Sequence, residues 1–192
     1  MSEAQRNECP LERVVMRRVW SMPNHNTFTV KPIKYFIAAH ITEGVWLDPF
    51  SRNSPFRARC VTNDLNPEVE ADHHLEALDF LKQFDDASVD GVLFDPPYSP
   101  RQISECYKQV GREVHTKDTQ SSFYGDRKRE VARVVRPGGK VLCFGWNSGG
   151  IGKQHGFALL EVLLVPHGGA HNDTICTAEV KAHNAEVSRD ER

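Results

Sequence analysis

Three short apolar runs, each closed by a carboxylate, constrain this chain more than any other feature. Val45-Trp46-Leu47 ends at Asp48, Cys60-Val61-Thr62-Asn63 ends at Asp64, and Val89 to Phe94 ends at Asp95. Runs of this length, bounded by turn-forming residues, read as buried strands. Helical spacing fills the intervals. Lys31-Pro32 opens a helix that reaches Ile41, with proline in its first turn. Ala71 to Phe84 carries Leu75, Leu78 and Phe80 or Leu81 at helical intervals. Arg127 to Val135 reads as a third helix, stopped by Arg136-Pro137-Gly138-Gly139 before a fourth strand, Lys140 to Phe144. Gly156–Val165 and Thr174–Val180 read as a late pair of strands. Strands alternating with helices predict an α/β fold, a mostly parallel sheet with helices on both faces. Ligands of such sheets bind beyond the carboxyl ends of the strands, and that is where the acids stand.

The remaining segments say less. Leu11 to Trp20 fits a strand or a short helix, Thr27-Phe28-Thr29-Val30 looks extended, Ser99 to Gly125 is polar and irregular, and 182–192 is a polar tail. With 192 residues and no linker or repeat, a single domain over 1–181 is expected. No apolar run approaches the ~18 residues of a membrane span. The opening MSEAQRNECPLERVVMRR has no apolar signal core, so the expected location is cytoplasmic. The five cysteines, Cys9, Cys60, Cys106, Cys143 and Cys176, show no C-x-x-C spacing and read as reduced thiols. His73-His74 sit beside Asp72 and Glu76 without a further ligand cluster, so no metal is expected and a solvated helix face is the plainer reading. Charge is unevenly spread. Residues 61–98 hold ten acids and one lysine, whereas 99–140 hold ten Lys/Arg against five acids. A polyanion could dock on the basic segments, or the pattern could be ordinary mixed surface charge.

Asp95-Pro96-Pro97-Tyr98 is the stretch that carries chemistry. Two prolines forbid the strand from continuing, because they lack amide hydrogens and fix φ. An ionised carboxylate only accepts hydrogen bonds, and a proline contributes a carbonyl without a donor. The corner therefore presents acceptors without donors, beside a flat ring. That set suits a planar heterocycle with an exocyclic NH₂: the acceptors hold the amino hydrogens and Tyr98 stacks on the ring. Cys143 has no histidine placed as thiolate chemistry would require and reads as core. The Gly149-Gly150-Ile151-Gly152 run reads as a connection.

These residues resemble the S-adenosylmethionine-dependent amino-methyltransferases, specifically the DNA N6-adenine group with its D-P-P-Y motif. The likeness covers about residues 26–180. Thr27-Phe28-Thr29-Val30-Lys31-Pro32 resembles the family's T-x-K-P motif, Leu47-Asp48-Pro49-Phe50 its D-P-F motif, and Asn63-Asp64-Leu65-Asn66-Pro67 its ribose-binding acid. Leu78-Asp79-Phe80 resembles the pair beside the cofactor adenine, and Arg136-Pro137-Gly138-Gly139-Lys140 a turn common before the fifth strand. The series is similar to small phage-type or mobile-element adenine methyltransferases. The resemblance implies a Rossmann-like fold, with cofactor motifs at about 26–80 and a catalytic half at about 89–181. S-adenosylmethionine is the implied cofactor, with Thr27, Phe28, Lys31, Asp48, Pro49, Phe50, Asp64, Leu65, Asp79 and Phe80 at its site. Asp95, Pro96, Pro97 and Tyr98 form the catalytic corner. DNA, double- or single-stranded, is the implied partner, its target base flipped out of the stack.

One difference from the family bears on the cofactor. The usual D-P-F-x-G-x-G reads Asp48-Pro49-Phe50-Ser51-Arg52-Asn53-Ser54 here, so Arg52 and Ser54 replace glycines that let a ligand approach the backbone. Asn53 tolerates positive φ and Ser54 is small; Arg52 either points outward or reaches the cofactor carboxylate. A second difference is that no separate target-recognition region is evident. Segment 99–125 is the candidate, as a target-contacting loop, a mobile lid, or both. Arg101, Lys108, Arg112 and Lys117 are expected to contact nucleic acid there, and Trp146 and Asn147 to contact the base from the end of the fourth strand. RNA bases or cytosine N4 remain alternative targets, as does a binding module that kept the fold and lost catalysis. A homodimer is left open.

Overall fold

Side chains alternate across the strands, and that alternation divides the interior into two cores. The computed structural model describes residues 13–115, 122–169 and 171–183. Its strands are β1 (Val15–Arg18), β2 (Trp46–Asp48), β3 (Val61–Thr62), β4 (Val89–Phe94), β5 (Val135–Gly145), β6 (Phe157–Val165) and β7 (Thr174–Lys181). Its α-helices are α1 (Lys31–His40), α2 (Ala77–Leu81), α3 (Pro100–Gln109) and α4 (Ser122–Val134). The strands form one seven-stranded sheet in the order β1-β6-β7-β5-β4-β2-β3. Only β7 runs antiparallel, to both β5 and β6; the other neighbours are parallel.

Trp46, Leu93 and Leu142 point to one face and pack on Ile33, Phe36 and Ile37 of α1. Their chain neighbours Leu47, Val92, Phe94 and Val141 point to the other, against Phe80 and Leu81 of α2 and Val131 and Val134 of α4. This is the period of two that a strand imposes. It leaves the sheet covered on both faces, as near-continuous apolar strands require. A third, small cluster joins Ile103 and Tyr107 of α3 to Phe123 of α4 and to Leu65. Gly91 has no side chain because the Trp46 indole occupies its place; an added Cβ would lie 2.6 Å from the ring.

Several segments differ from the sequence expectation. The helix expected over Ala71 to Phe84 is confined to Ala77–Leu81. Asp72 instead holds both the Thr62 amide and the Thr62 hydroxyl at 2.8 Å, and His73 bridges to Asn63, so 72–75 runs beside β3. Thr27–Thr29 is a 3-10 turn rather than extended chain. Arg136 to Gly139 is a bulge within β5 rather than a break before it, since Val135 pairs with Val89 and Lys140 with Gly91. The polar stretch after Tyr98 contains α3, a ten-residue helix. The ambiguous N-terminal segment is strand β1, parallel to β6 at the sheet edge.

Two ties fix the N-terminal arm. Buried Glu161 accepts from Arg17 Nε at 2.6 Å and lies 2.9 Å from His40 Nε2, joining β1, α1 and β6. His167, a residue without an assigned role in the sequence, bridges Ser21 O and Thr174 Oγ1, each at 2.8 Å. The arm beyond Ser21 is thereby set down along the carboxyl end of the sheet.

Candidate active site

The carboxyl ends of β2, β3, β4 and β5 open into one cleft of about 640 Å³, a volume typical of small-molecule sites. Thr27, Pro49, Phe50, Asp64, Leu65, Asp95, Pro96, Pro97, Tyr98 and Trp146 line it. The structure thus brings the acid ending β3, the loop after β2 and the proline corner after β4 to a single space. Asp48 lies directly beneath, fully buried.

The corner is held from both helices of the third cluster. Ser99 caps α3 by accepting from the Gln102 amide at 3.3 Å, with Pro100 in the first turn. The Gln102 side chain then accepts from the Tyr98 amide at 2.6 Å. The Tyr124 hydroxyl of α4 donates to the Pro97 carbonyl at 2.5 Å. Among the described residues no donor reaches the Pro96 carbonyl, so of the two proline carbonyls this one stays available. The Tyr98 hydroxyl donates to Asp95 Oδ1. The Tyr98 and Trp146 rings stand 5.6 Å apart at 60°, an open corner rather than a parallel slot.

Electrostatics mark the floor. Burial lifts the Asp48 carboxyl to about 8, helped by the Asp95 and Asp64 charges and opposed by bonds from the Phe50 amide and Ser54. Its Oδ2 has no partner among the described residues. Burial also raises Asp95, while hydrogen bonds from Tyr98 and Thr27 and the Arg52 charge pull the other way. Tyr98 is held well above its ordinary range by burial and then by Asp95, so it remains a donor. Asp64 and Asp95 both line this concave surface, a pairing that favours a cationic ligand when they are ionised.

Asp64 and the loop after β2 form one unit. Asp64 Oδ2 accepts from the Arg52 amide at 2.9 Å and Oδ1 from the Asn66 amide at 2.8 Å. An ionised carboxylate has roughly four acceptor positions, so two remain for a ligand. Arg52 itself takes φ +43°, the conformation a glycine adopts freely. Its Nη1 donates to His25 O at 2.8 Å. Asn63 braces the wall, donating to Pro49 O at 3.1 Å and Leu75 O at 3.0 Å.

Other expected residues stand elsewhere. Phe80 is core and packs on His73 and Phe84, and Asp79 is exposed beside Lys82. That stretch of wall comes instead from Leu75, Glu76 and Ala77. Phe28 is core, 4.8 Å from Phe144. The Lys31 ammonium lies 5.9 Å over the Tyr35 ring and does not line the cleft. Arg101 pairs with Glu105 at 2.8 Å, and Lys108 and Arg112 border a separate shallow hollow, with Arg112 stacked on Tyr107. Asn147 is exposed and accepts from the Gly149 amide at 2.9 Å. Lys117 lies outside the described residues. Among the described residues, no cluster of three or more metal-ligating side chains occurs and no helix is long and apolar enough to cross a membrane.

Sequence reasoning missed Glu76. Its Oε2 accepts from the Leu78 amide at 2.7 Å, capping α2, and its Oε1 takes Arg127 and, at 3.3 Å, the Tyr107 hydroxyl. An acid just before the apolar Ala77, Phe80 and Leu81 was the available signal.

No family model matches the chain, and no curated protein matches it. Solved structures do. A 1,6-didemethyltoxoflavin-N1-methyltransferase from Burkholderia thailandensis, solved with 1,6-didemethyltoxoflavin and S-adenosylhomocysteine, aligns at 15% identity over 79% of this chain and 77% of that one, with a TM-score of 0.50. TrmN from Thermus thermophilus aligns at 16% identity and a TM-score of 0.53, over 79% of this chain and 49% of TrmN, so the chain spans about half of that protein. At such identities the likeness defines the fold. The chain has the Rossmann-like α/β fold of S-adenosylmethionine-dependent methyltransferases.

Proposed function

We propose that this protein transfers a methyl group from S-adenosylmethionine to the N6 amino group of adenine in DNA. The observation that carries the reading is the Asp95-Pro96-Pro97-Tyr98 corner, opening into the same cleft as Asp64 with the Pro96 carbonyl available. The cleft fits the cofactor on three counts. Its volume suffices, Asp64 retains two acceptor positions for ribose hydroxyls, and Leu65, Leu75 and Ala77 offer an apolar wall for the adenine ring.

When bound, the cofactor supplies a methyl carbon on a positively charged sulfur. The protein's part is to aim the nucleophile. Asp95 and the Pro96 carbonyl accept the two amino hydrogens of a flipped base, which turns the nitrogen lone pair out of the ring plane. Tyr98 or Trp146 stacks on the base. Transfer would leave the S–C electron pair on the cofactor sulfur, and Asp95 would accept the surplus proton from N6. The fixed acceptors stabilise the positive charge that develops on nitrogen.

The test is direct. Incubating the protein with methyl-labelled S-adenosylmethionine and, in parallel, DNA or RNA, then digesting to nucleosides, should give labelled N6-methyl-2′-deoxyadenosine from the DNA. Asp95→Ala should lose ~10²-fold or more of this rate, by analogy with removing one preorganised hydrogen-bonding group, while cofactor affinity measured by calorimetry is retained. Label on cytosine, on RNA only, or on no nucleoside would refute the assignment.

A further inference from the structure

Arg52 stands where the resembled motif has glycine, and it is the one described arginine that lines the cleft. Its guanidinium lines the cleft, yet among the described residues it is in no ion pair with a carboxylate. Its recorded partners are a neutral carbonyl, His25 O at 2.8 Å, and the Cys106 thiol on α3. Eight other arginines, Arg17, Arg57, Arg59, Arg101, Arg127, Arg129, Arg133 and Arg136, each have an acid. Its charge acts on Asp95 without an ion pair forming, and a guanidinium in a ligand space with no carboxylate bound to it is a fork suited to a planar anion. The residue also accepts a cost to be there, since a non-glycine side chain sits at φ +43°.

We infer that Arg52 holds the carboxylate at the amino-acid end of the cofactor, in place of Lys31, which the T-x-K-P likeness puts at the cofactor site. This inference rests on the proposed use of S-adenosylmethionine. Two placements support it. The Arg52 amide is bonded to Asp64, so the guanidinium belongs to the same loop unit as the acid assigned to the ribose. Lys31 points away, over Tyr35, and does not line the cleft. The floor carries acids and no other described Lys or Arg lines this cleft, so Arg52 is its one cationic partner for a carboxylate. A phosphate of the target strand presents similar chemistry, and the comparison of ligands below separates the two.

The inference is tested by binding, not turnover. Calorimetry compares S-adenosylhomocysteine with 5′-methylthioadenosine, which keeps the adenosine and the sulfur but lacks the amino-acid carboxylate. The variants are Arg52→Gly, Arg52→Lys and Lys31→Ala. Glycine suits the positive φ, so Arg52→Gly should fold with an unchanged or raised melting temperature. It should bind S-adenosylhomocysteine about tenfold more weakly, the loss expected for one charged hydrogen-bonded pair, and bind 5′-methylthioadenosine as the parent does. Arg52→Lys should recover part of the loss, and Lys31→Ala should lose nothing. Equal weakening toward both ligands would overturn the inference, because Arg52 would then act through the Asp64 loop. So would unchanged affinity for both, or a loss seen only for DNA, which would assign Arg52 to a phosphate. A parent protein that binds neither ligand would overturn the proposed function itself, a result separate from any difference between variants.

Discussion

At the scale of single residues, the site is governed by how burial and hydrogen bonds divide among its acids. In the proposed reaction Asp95 must be ionised to accept amino hydrogens, and its tendency to hold a proton is raised by burial and restrained by the Tyr98 and Thr27 bonds. Tyr98→Phe removes one restraint on the charged form, so the Asp95 pKa rises. The acidic limb of kcat/KM, which reports the free enzyme, should therefore move to higher pH in this variant. A limb that stays in place would mean that Tyr98 serves only as a stacking ring. Asp48 gives a stability test. Its carboxyl ionises near 8 when folded and near the ordinary ~3.9 when unfolded. Between those values the folded state holds a proton that the unfolded state has released. The contribution is complete below the unfolded pKa and disappears as pH rises through the folded one. Asp48→Asn cannot titrate, so it should gain on the parent as pH rises, by up to ~3 kcal/mol from about pH 5 to 7 at 1.36 kcal/mol per unit. Thermal melts at several pH values check this; a constant offset between the two proteins would show that Asp48 is ionised in the native state.

At the scale of elements, the helices over the cleft are latched by one buried charge pair. Arg127 of α4 is 5% exposed, stacks 3.3 Å over the Phe123 ring, donates to Phe123 O at 2.6 Å and pairs with Glu76. Removing one member of such a pair strands the other. Arg127→Met should cost ~3–5 kcal/mol in urea unfolding, and adding Glu76→Gln should restore part of it. Strict additivity of the two changes would show that the pair is not coupled. The same helices mark the limit of what the sequence disclosed. Strands β2 to β7 and α1 are legible because their apolar residues form unbroken or evenly spaced runs. Helix α3 is not, because only Ile103 and Tyr107 of its ten residues are buried hydrophobics, too few to show a period. Its one local sign is Ser99-Pro100 followed by Gln102, a cap with proline in the first turn. The start of α2 was illegible for another reason. Leu75 keeps helical spacing with Leu78, but Asp72 and His73 are spent on β3, and Glu76 caps the helix after them. That delay puts Asp79 and Phe80 past the cleft wall and leaves Glu76 and Ala77 on it. The corner itself was readable, since two prolines leave its backbone little choice.

At the scale of the whole molecule, the proposed recognition of DNA depends on what surrounds the mouth of the cleft. Base readout needs side chains delivered to base edges at fixed positions. Of the segment over the cleft, Gln102, Glu105 and Gln109 of α3 are the polar residues that line it, and Gln102 already serves the Tyr98 amide. Arg101 is engaged with Glu105, and Lys108 and Arg112 face a different hollow. Among the described residues of this segment, one or two base contacts are therefore the most on offer, each contributing ~1–3 kcal/mol of discrimination. That suffices to prefer a neighbour of the target adenine and falls short of defining a long site. Affinity would come mainly from Lys/Arg contacts to phosphate, so activity should fall steeply as salt rises from about 50 to 200 mM. The expected methylation map on plasmid DNA, read by long-read sequencing, is dispersed over many adenines with at most a one- or two-base preference beside them. Methylation confined to one motif of four or more base pairs would show that readers lie outside the described residues or on a second subunit.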